Sequence, residues 1–250
     1  MAGLGPGNPD HLTPAVCNAL ARAETIVGYK GYIRLLEPEL LEGKQVISTG
    51  MTGEVERAGR AVDAALAGRE TVVVSSGDPG VYAMAGLVLE LLETRNALDS
   101  VRLEVLPGVP ALCAAAALLG APLMHDFASV SLSDLLTPWP LIERRVEAAA
   151  SADFVIALYN PRSKRRTAHL PRALELIARH RNPNTPVGIV SRAMRPGQSV
   201  AVTTLDAIHP EDVDMQTVVL VGNSATRVSG GRMLTPRGYA GKYSLVDERK

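Results

Sequence analysis

The sequence predicts an α/β fold with a mainly parallel sheet. Short apolar runs rich in β-branched residues alternate with longer helical patterns, and the strand-to-helix junctions are built from glycine and proline. In addition, 46% of the 250 residues are hydrophobic, enough for a sizeable core. A chain of this length makes one large domain or two of ordinary size.

The strand-like runs cover residues 25–28, 46–49, 71–74, 101–106, 154–158, 186–190 and 218–221. Helical patterns lie between them, beginning near Thr13-Pro14 and then over 55–67, 81–92, 110–119, 142–150 and 172–179. The Ala-rich helix ends at Gly120, and Pro122 prevents its continuation. This break places a domain boundary near residue 121, giving domains 1–121 and 122–250; one continuous sheet is the alternative. The stretch up to Pro138-Trp139-Pro140 is less regular.

Three junctions share one chemistry. Ser75-Ser76-Gly77-Asp78-Pro79-Gly80-Val81-Tyr82 follows the run Thr71-Val72-Val73-Val74, and in an open α/β sheet a ligand tends to sit at such a strand end. Asp78 is the only charged residue between Thr71 and Leu89, so it is a helix cap, with Pro79 at the first helical position, or an acceptor for a ligand; the two roles are compatible. Gly3-Leu4-Gly5-Pro6-Gly7-Asn8-Pro9 is a second such turn. Pro6 removes an N–H and fixes φ, which makes the loop a poor pyrophosphate nest and suits close approach to an uncharged part of a ligand. Leu106-Pro107-Gly108-Val109-Pro110-Ala111 is the third. Together they predict a pocket for a small molecule with much backbone contact and little charge.

Composition narrows the function classes. Lys+Arg and Asp+Glu are both 26, which argues against a nucleic-acid partner, and aromatic residues are only 4%, too few for a base-stacking platform. Cys17 and Cys113 sit in apolar helical surroundings and the five histidines are scattered, so no disulfide framework, zinc site or iron–sulfur site is expected. The apolar stretch 111–121 is too short to span a membrane, and no signal-peptide pattern opens the sequence, so a soluble cytoplasmic protein is expected.

The three turns, in this order and spacing, resemble the tetrapyrrole methylase family of S-adenosylmethionine-dependent enzymes, over nearly the whole chain. Four further stretches carry a narrower match within the family: Val27-Gly28-Tyr29-Lys30, residues 118–127, residues 131–140 (Ser-Leu-Ser-Asp-Leu-Leu-Thr-Pro-Trp-Pro) and Leu158-Tyr159-Asn160-Pro161-Arg162-Ser163. The resemblance implies two α/β/α domains with mainly parallel mixed sheets and a ligand cleft between them, the class III S-adenosylmethionine methyltransferase architecture. It also implies a homodimer, S-adenosyl-L-methionine as methyl donor with S-adenosyl-L-homocysteine as product, and a tetrapyrrole substrate. It assigns Pro6, Ser76, Gly77, Asp78, Val81, Pro110, Ala111, Asn160 and Ala193 to the cofactor. Pro110 and Asn160 differ from the family's usual residues. The family also has an apolar strand before its first glycine turn; only Met1-Ala2 precede Gly3 here, so that strand is expected to be nearly lost or to start upstream.

Methyl transfer from a sulfonium mainly needs reactants held in line, so no catalytic triad is expected. The substrate's carboxylates call for cations and hydroxyls. Arg162, in the cluster Arg162, Lys164, Arg165 and Arg166, and the hydroxyls of Ser131 and Ser133 are the candidates; a solvated helix start and a helix cap are their ordinary alternatives. Asp78, His125, Asp126 and Asp134 are candidate acid/base groups, none singled out by the sequence. Two rival readings stand beside this one: another member of the same family, acting on a neighbouring or a cobalt-containing tetrapyrrole, and a non-catalytic tetrapyrrole-binding protein.

Overall fold

The computed structural model describes residues 1–245; residues 246–250, the tail of the expected second domain, lie outside the described residues. The chain divides into two compact units, Met1–Ala111 and Leu112–Lys250. The division falls just inside the start of the Ala-rich helix, after Ala111, whereas the Gly-Ala-Pro break suggested a boundary after that helix, near residue 121.

The first unit contains β1 (Ala2–Gly3), α1 (Pro14–Arg22), β2 (Thr25–Tyr29), α2 (Lys30–Ile33), β3 (Gln45–Thr49), α3 (Glu54–Leu66), β4 (Thr71–Ser75) and α4 (Ala85–Thr94). Its sheet is wholly parallel in the order β1-β4-β2-β3. Because alternate strand residues face opposite sides, the sheet feeds two cores. Val27, Ile47 and Val73 join Ala58, Val62, Val88 and Leu92 on one face. Ile26, Val72 and Val74 join Val16, Leu20 and Leu4 on the other. Helix α1 begins as expected, with Pro14 in its first turn and the Thr13 hydroxyl accepting from the Val16 N–H at 3.3 Å.

Two local expectations fail in this unit. The helix after β4 starts at Ala85, not near Val81, and residues 79–84 form turns. Asp78 accordingly caps a turn, accepting from the Gly80 N–H at 2.8 Å, and not a helix. Tyr82 takes a positive φ of 51°, which breaks the helical path just ahead of α4. Residues 101–106 form no strand, since their ladder is confined to one end. Leu106 bridges Ala2, and the Met1 amino group donates to the Glu104 carbonyl at 2.7 Å. A cavity of about 580 Å³ is lined by Thr71, Val72 and Val73 on β4 and by Val101, Leu103 and Glu104. Ahead of the first glycine turn, Ala2 and Gly3 form β1, parallel to β4.

The second unit contains α5 (Ala111–Leu119), whose first residue belongs to the first unit, then β5 (Gly120–Ala121), β6 (Phe127–Ser131), α6 (Trp139–Ser151), β7 (Val155–Tyr159), α7 (His169–Ala178), β8 (Pro186–Ser191), β9 (Ser199–Thr204), β10 (Thr217–Val221), β11 (Arg227–Ser229), β12 (Arg232–Leu234) and α8 (Tyr239–Lys242). Its main sheet is mixed, in the order β6-β7-β10-β8-β9. β6 and β7 are parallel, while β10 runs antiparallel to both β7 and β8, because β8 and β9 form an antiparallel pair before the chain returns to the centre. Ile156, Leu158, Val187, Val219 and Val221 meet Ile142, Val146, Leu170 and Ile177 of α6 and α7. On the opposite face the sheet is so close to its cover that a Cβ on Gly188 would lie 2.3 Å from the Leu119 side chain and 2.8 Å from the Met233 sulfur.

Arg181 ties this unit together from inside. Its side chain is 2% exposed and donates to the carbonyls of Ala150 (2.6 Å), Phe154 (2.9 Å) and Gly222 (3.3 Å), with Asp153 at 3.2 Å. Burial pushes its pKa down, Asp153 opposes this, and the guanidinium stays charged. Removing it leaves buried carbonyls unpaired, so Arg181→Met is expected to destabilise the protein by about 3 kcal/mol, read as a lower urea midpoint. Gly108→Ala forces a Cβ to 2.3 Å from the Gly77 carbonyl oxygen and 2.6 Å from that of Gly3. A loss of about 2–4 kcal/mol is expected, typical of overpacking against an unyielding backbone, with the same measurement as the check.

Candidate functional site

The three glycine turns of the first unit meet. Gly5 and Gly77 form an antiparallel bridge, with Gly5 N–H to Gly77 O at 3.1 Å and Gly77 N–H to Gly5 O at 2.7 Å. Gly77 has φ +67°, a conformation that glycine adopts without strain. A Cβ on Gly3 would meet the Gly77 carbonyl oxygen at 2.6 Å and the Gly108 nitrogen at 2.7 Å. Asp78 joins the second turn to the third: one carboxylate oxygen accepts from Gly80 and the other from the Gly108 N–H at 3.2 Å. Pro110 and Ala111 stand next to Gly77, where an added Cβ would lie 3.7 Å from the Pro110 Cα and 3.6 Å from the Ala111 nitrogen. Pro6 is buried, and Ser76, Asp78 and Val81 are half-buried. Of the nine residues expected at the cofactor, these turns thus carry seven.

The donor set is backbone N–H and C=O groups, small hydroxyls and one carboxylate with lone pairs left over. It fits a ligand with hydroxyls and a positive charge, such as the ribose, ammonium and sulfonium of S-adenosylmethionine. It does not fit a phosphate, because no Lys or Arg belongs to the turns.

The other expected residues belong to the second unit. Asn160, just after β7, sits at a positive φ of 51°; its side-chain amide donates to Ser131 Oγ at 2.9 Å. The Ser133 N–H reaches the same Ser131 hydroxyl at 3.3 Å. Ala193 is half-buried in the turn after β8, between Arg192 and Met194, which both have positive φ. That turn is held by the Arg192 Nε bond to Gln216 at 2.7 Å and by the Met194 N–H bond to the Gln198 side chain, also 2.7 Å.

Of the basic cluster, Arg166 is the member that joins the serines. It donates to Ser133 Oγ at 3.4 Å and to the Asn160 carbonyl at 3.0 Å, while its Nε is buried with no hydrogen-bond partner among the described residues. Burial pushes its pKa down and Asp134 opposes the shift. Arg162 instead donates to the Pro210 carbonyl at 2.9 Å. A run of four basic residues in the five positions 162–166 gives no signal for which one turns toward Ser133; the turn after β7 decides it. His125 and Asp126 interact with each other, the His125 Nδ1 accepting from the Asp126 N–H at 2.8 Å, in a largely exposed position. Asp134 lies 3.5 Å from His169, a residue with no motif to mark it.

Comparison with known proteins adds the lineage. The family profile "Tetrapyrrole (Corrin/Porphyrin) Methylases" matches residues 1–209. A protein of Salmonella typhimurium named "Probable cobalt-factor III C(17)-methyltransferase" is 51% identical over 239 residues, 96% of this chain and 98% of that protein. The "Cobalt-factor III methyltransferase" of Priestia megaterium is 49% identical over 247 residues; the chain, of which 98% aligns, spans only 46% of that relative's length. Among solved structures, "Crystal structure of the methyltransferase CobJ" superposes with a TM-score of 0.90 at 45% identity, over 94% of this chain and 98% of that one. The chain belongs to the tetrapyrrole (corrin/porphyrin) methylase family.

Proposed function

We propose that this protein is an S-adenosylmethionine-dependent methyltransferase that methylates a tetrapyrrole at C17, with contraction of the ring, in cobalamin biosynthesis. The observation that carries the reading is the meeting of the three glycine turns around Asp78, together with the 51% identity to a relative named for C17 methylation. The names printed for the Salmonella and Priestia relatives favour the cobalt-containing substrate, cobalt-factor III. The narrower sequence resemblance points to its cobalt-free counterpart, precorrin-3B, converted to precorrin-4. Any cobalt would arrive as part of the substrate. Among the described residues no group of three or more His, Cys, Asp or Glu side chains is placed to hold a metal.

S-adenosylmethionine, when bound, supplies an electrophilic methyl group. The protein's task is then to bind, orient and exclude water. Pro6, Ser76, Gly77, Asp78, Val81, Pro110 and Ala111 form the first unit's contribution to holding the cofactor, with Asp78 as its one charged acceptor. In the second unit the resemblance assigns Asn160 and Ala193 to the same ligand. Ser131, Ser133 and Arg166 hold substrate carboxylates. Arg162 keeps most of its donors for the same rim, since one is spent on Pro210. A cytoplasmic homodimer is the finer part of this reading. Among the described residues no helix is long and apolar enough to cross a membrane, and the dimer rests on the family resemblance.

The deciding experiment incubates the purified protein with S-adenosylmethionine and either cobalt-factor III or precorrin-3B, followed by mass spectrometry and a spectrum of the pigment. One added methyl group and a changed chromophore are expected with one of the two. No methyl transfer to either, with S-adenosylhomocysteine binding intact, would leave only the non-catalytic binding reading. Asp78→Asn removes the charge and keeps most of the shape. It is expected to weaken S-adenosylhomocysteine binding roughly tenfold, about 1.4 kcal/mol, measured by titration calorimetry.

A further inference from the structure

The loop between β6 and α6 has a fixed base and an apolar tip. Leu135 and Leu136 are 74% and 92% exposed, the most exposed large hydrophobic side chains among the described residues. The base is pinned at both ends by one imidazole. His169 Nδ1 lies 3.0 Å from the Leu132 carbonyl oxygen, and the ring stacks on Trp139 at 4.0 Å between centroids, with 10° between planes. Its other nitrogen lies 3.5 Å from Asp134. Leu132 is fully buried, and Pro138 closes the loop at the first turn of α6. The two leucines are therefore held out by a braced loop. A loop whose braced base keeps apolar surface in water has a use when a ligand covers it.

The position of the tip says which ligand. Immediately before it, Ser133 meets Arg166, a cation whose Nε has no partner among the described residues. The loop thus has its own Ser133 hydroxyl and the Arg166 guanidinium, from the turn after β7, at its foot and two bare isobutyl groups at its end. A tetrapyrrole has the complementary layout, with flat apolar ring faces bordered by carboxylates. We propose that Leu135 and Leu136 lie on a face of the substrate macrocycle while Ser133 and Arg166 hold carboxylates at its rim, an inference that rests on the tetrapyrrole reading above. A second copy of the chain is the poorer occupant. Two side chains supply only a small part of the roughly 800 Å² per partner that a stable protein interface buries.

The test compares the parent protein with Leu135→Ser/Leu136→Ser and with Leu135→Met/Leu136→Met. Tetrapyrrole binding is followed by pigment absorbance without S-adenosylmethionine, using precorrin-3B and cobalt-factor III as probes. S-adenosylhomocysteine binding, Tm and sedimentation are measured in parallel. The serine pair is expected to weaken tetrapyrrole binding, and to raise its KM in turnover, by about tenfold or more, as loss of apolar contact in a recognition site does. Cofactor binding and Tm should stay unchanged, and the methionine pair should bind nearly as the parent does. Tetrapyrrole binding by the serine pair within twofold of the parent would overturn the proposal. So would a parent dimer that the serine pair converts to monomer, which would give the leucines to a subunit contact. A parent that binds the pigment without methylating it would sink the enzyme reading while the binding comparison still decides the role of the leucines. A parent that does not bind either pigment would overturn both.

Discussion

Three backbones, at Gly3, Gly77 and Gly108, approach so closely that none of these positions has room for a methyl group facing its neighbours, except Gly77, whose demand is for a positive φ. The candidate site of the first unit depends on this contact. It lets the ends of β1 and β4 and the turn before α5 converge, with backbone where side chains would normally stand. Asp78 then bonds two of these turns to each other with its two oxygens. Its carboxylate is both the structural link and the only charge in the cradle, which is why the cap and ligand-acceptor roles weighed for it are compatible.

The second unit solves a different problem. Its turns carry side-chain chemistry: Asn160 at a positive φ presents its amide to Ser131, and its carbonyl receives Arg166, which also reaches Ser133. A guanidinium bonded to a hydroxyl and a carbonyl, with no ion pair to a carboxylate among the described residues, retains its charge for an anion. The buried Arg181, by contrast, spends its donors on the carbonyls of Ala150, Phe154, His180 and Gly222, beside Asp153, and is part of the fold. The half-buried Arg166 and the buried Arg181 thus differ in what their partners leave unsatisfied.

Strands buried on both faces were legible in the sequence because burial on both faces demands an apolar run: β2, β4, β7, β8 and β10 all lie in the interior of their sheets and match the predicted segments within a residue or two. The edge strands β6 and β9 were not legible. Phe127-Ala128-Ser129-Val130-Ser131 and Ser199-Val200-Ala201-Val202-Thr203-Thr204 are partly exposed and carry hydroxyl residues in place of an unbroken apolar run. The run at 101–106 failed in the opposite sense: it has the apolar content of a strand, but a strand exists only where a partner continues the ladder, and here the partner is limited to Met1–Gly3.

The sequence by itself determined the α/β class, the existence of the three glycine turns and the family, because each depends on local patterning: period, turn residues and their spacing. Tertiary structure alone decided that the three turns touch, that α4 starts at Ala85 and leaves Asp78 free to bridge to Gly108, and that Arg166 and not Arg162 reaches Ser133. It also decided that one histidine braces the loop that carries Leu135 and Leu136. These are meetings of residues about 30 or more positions apart. No local propensity encodes such a meeting, because the energy that selects it comes from packing and hydrogen bonding formed only when the whole unit has closed.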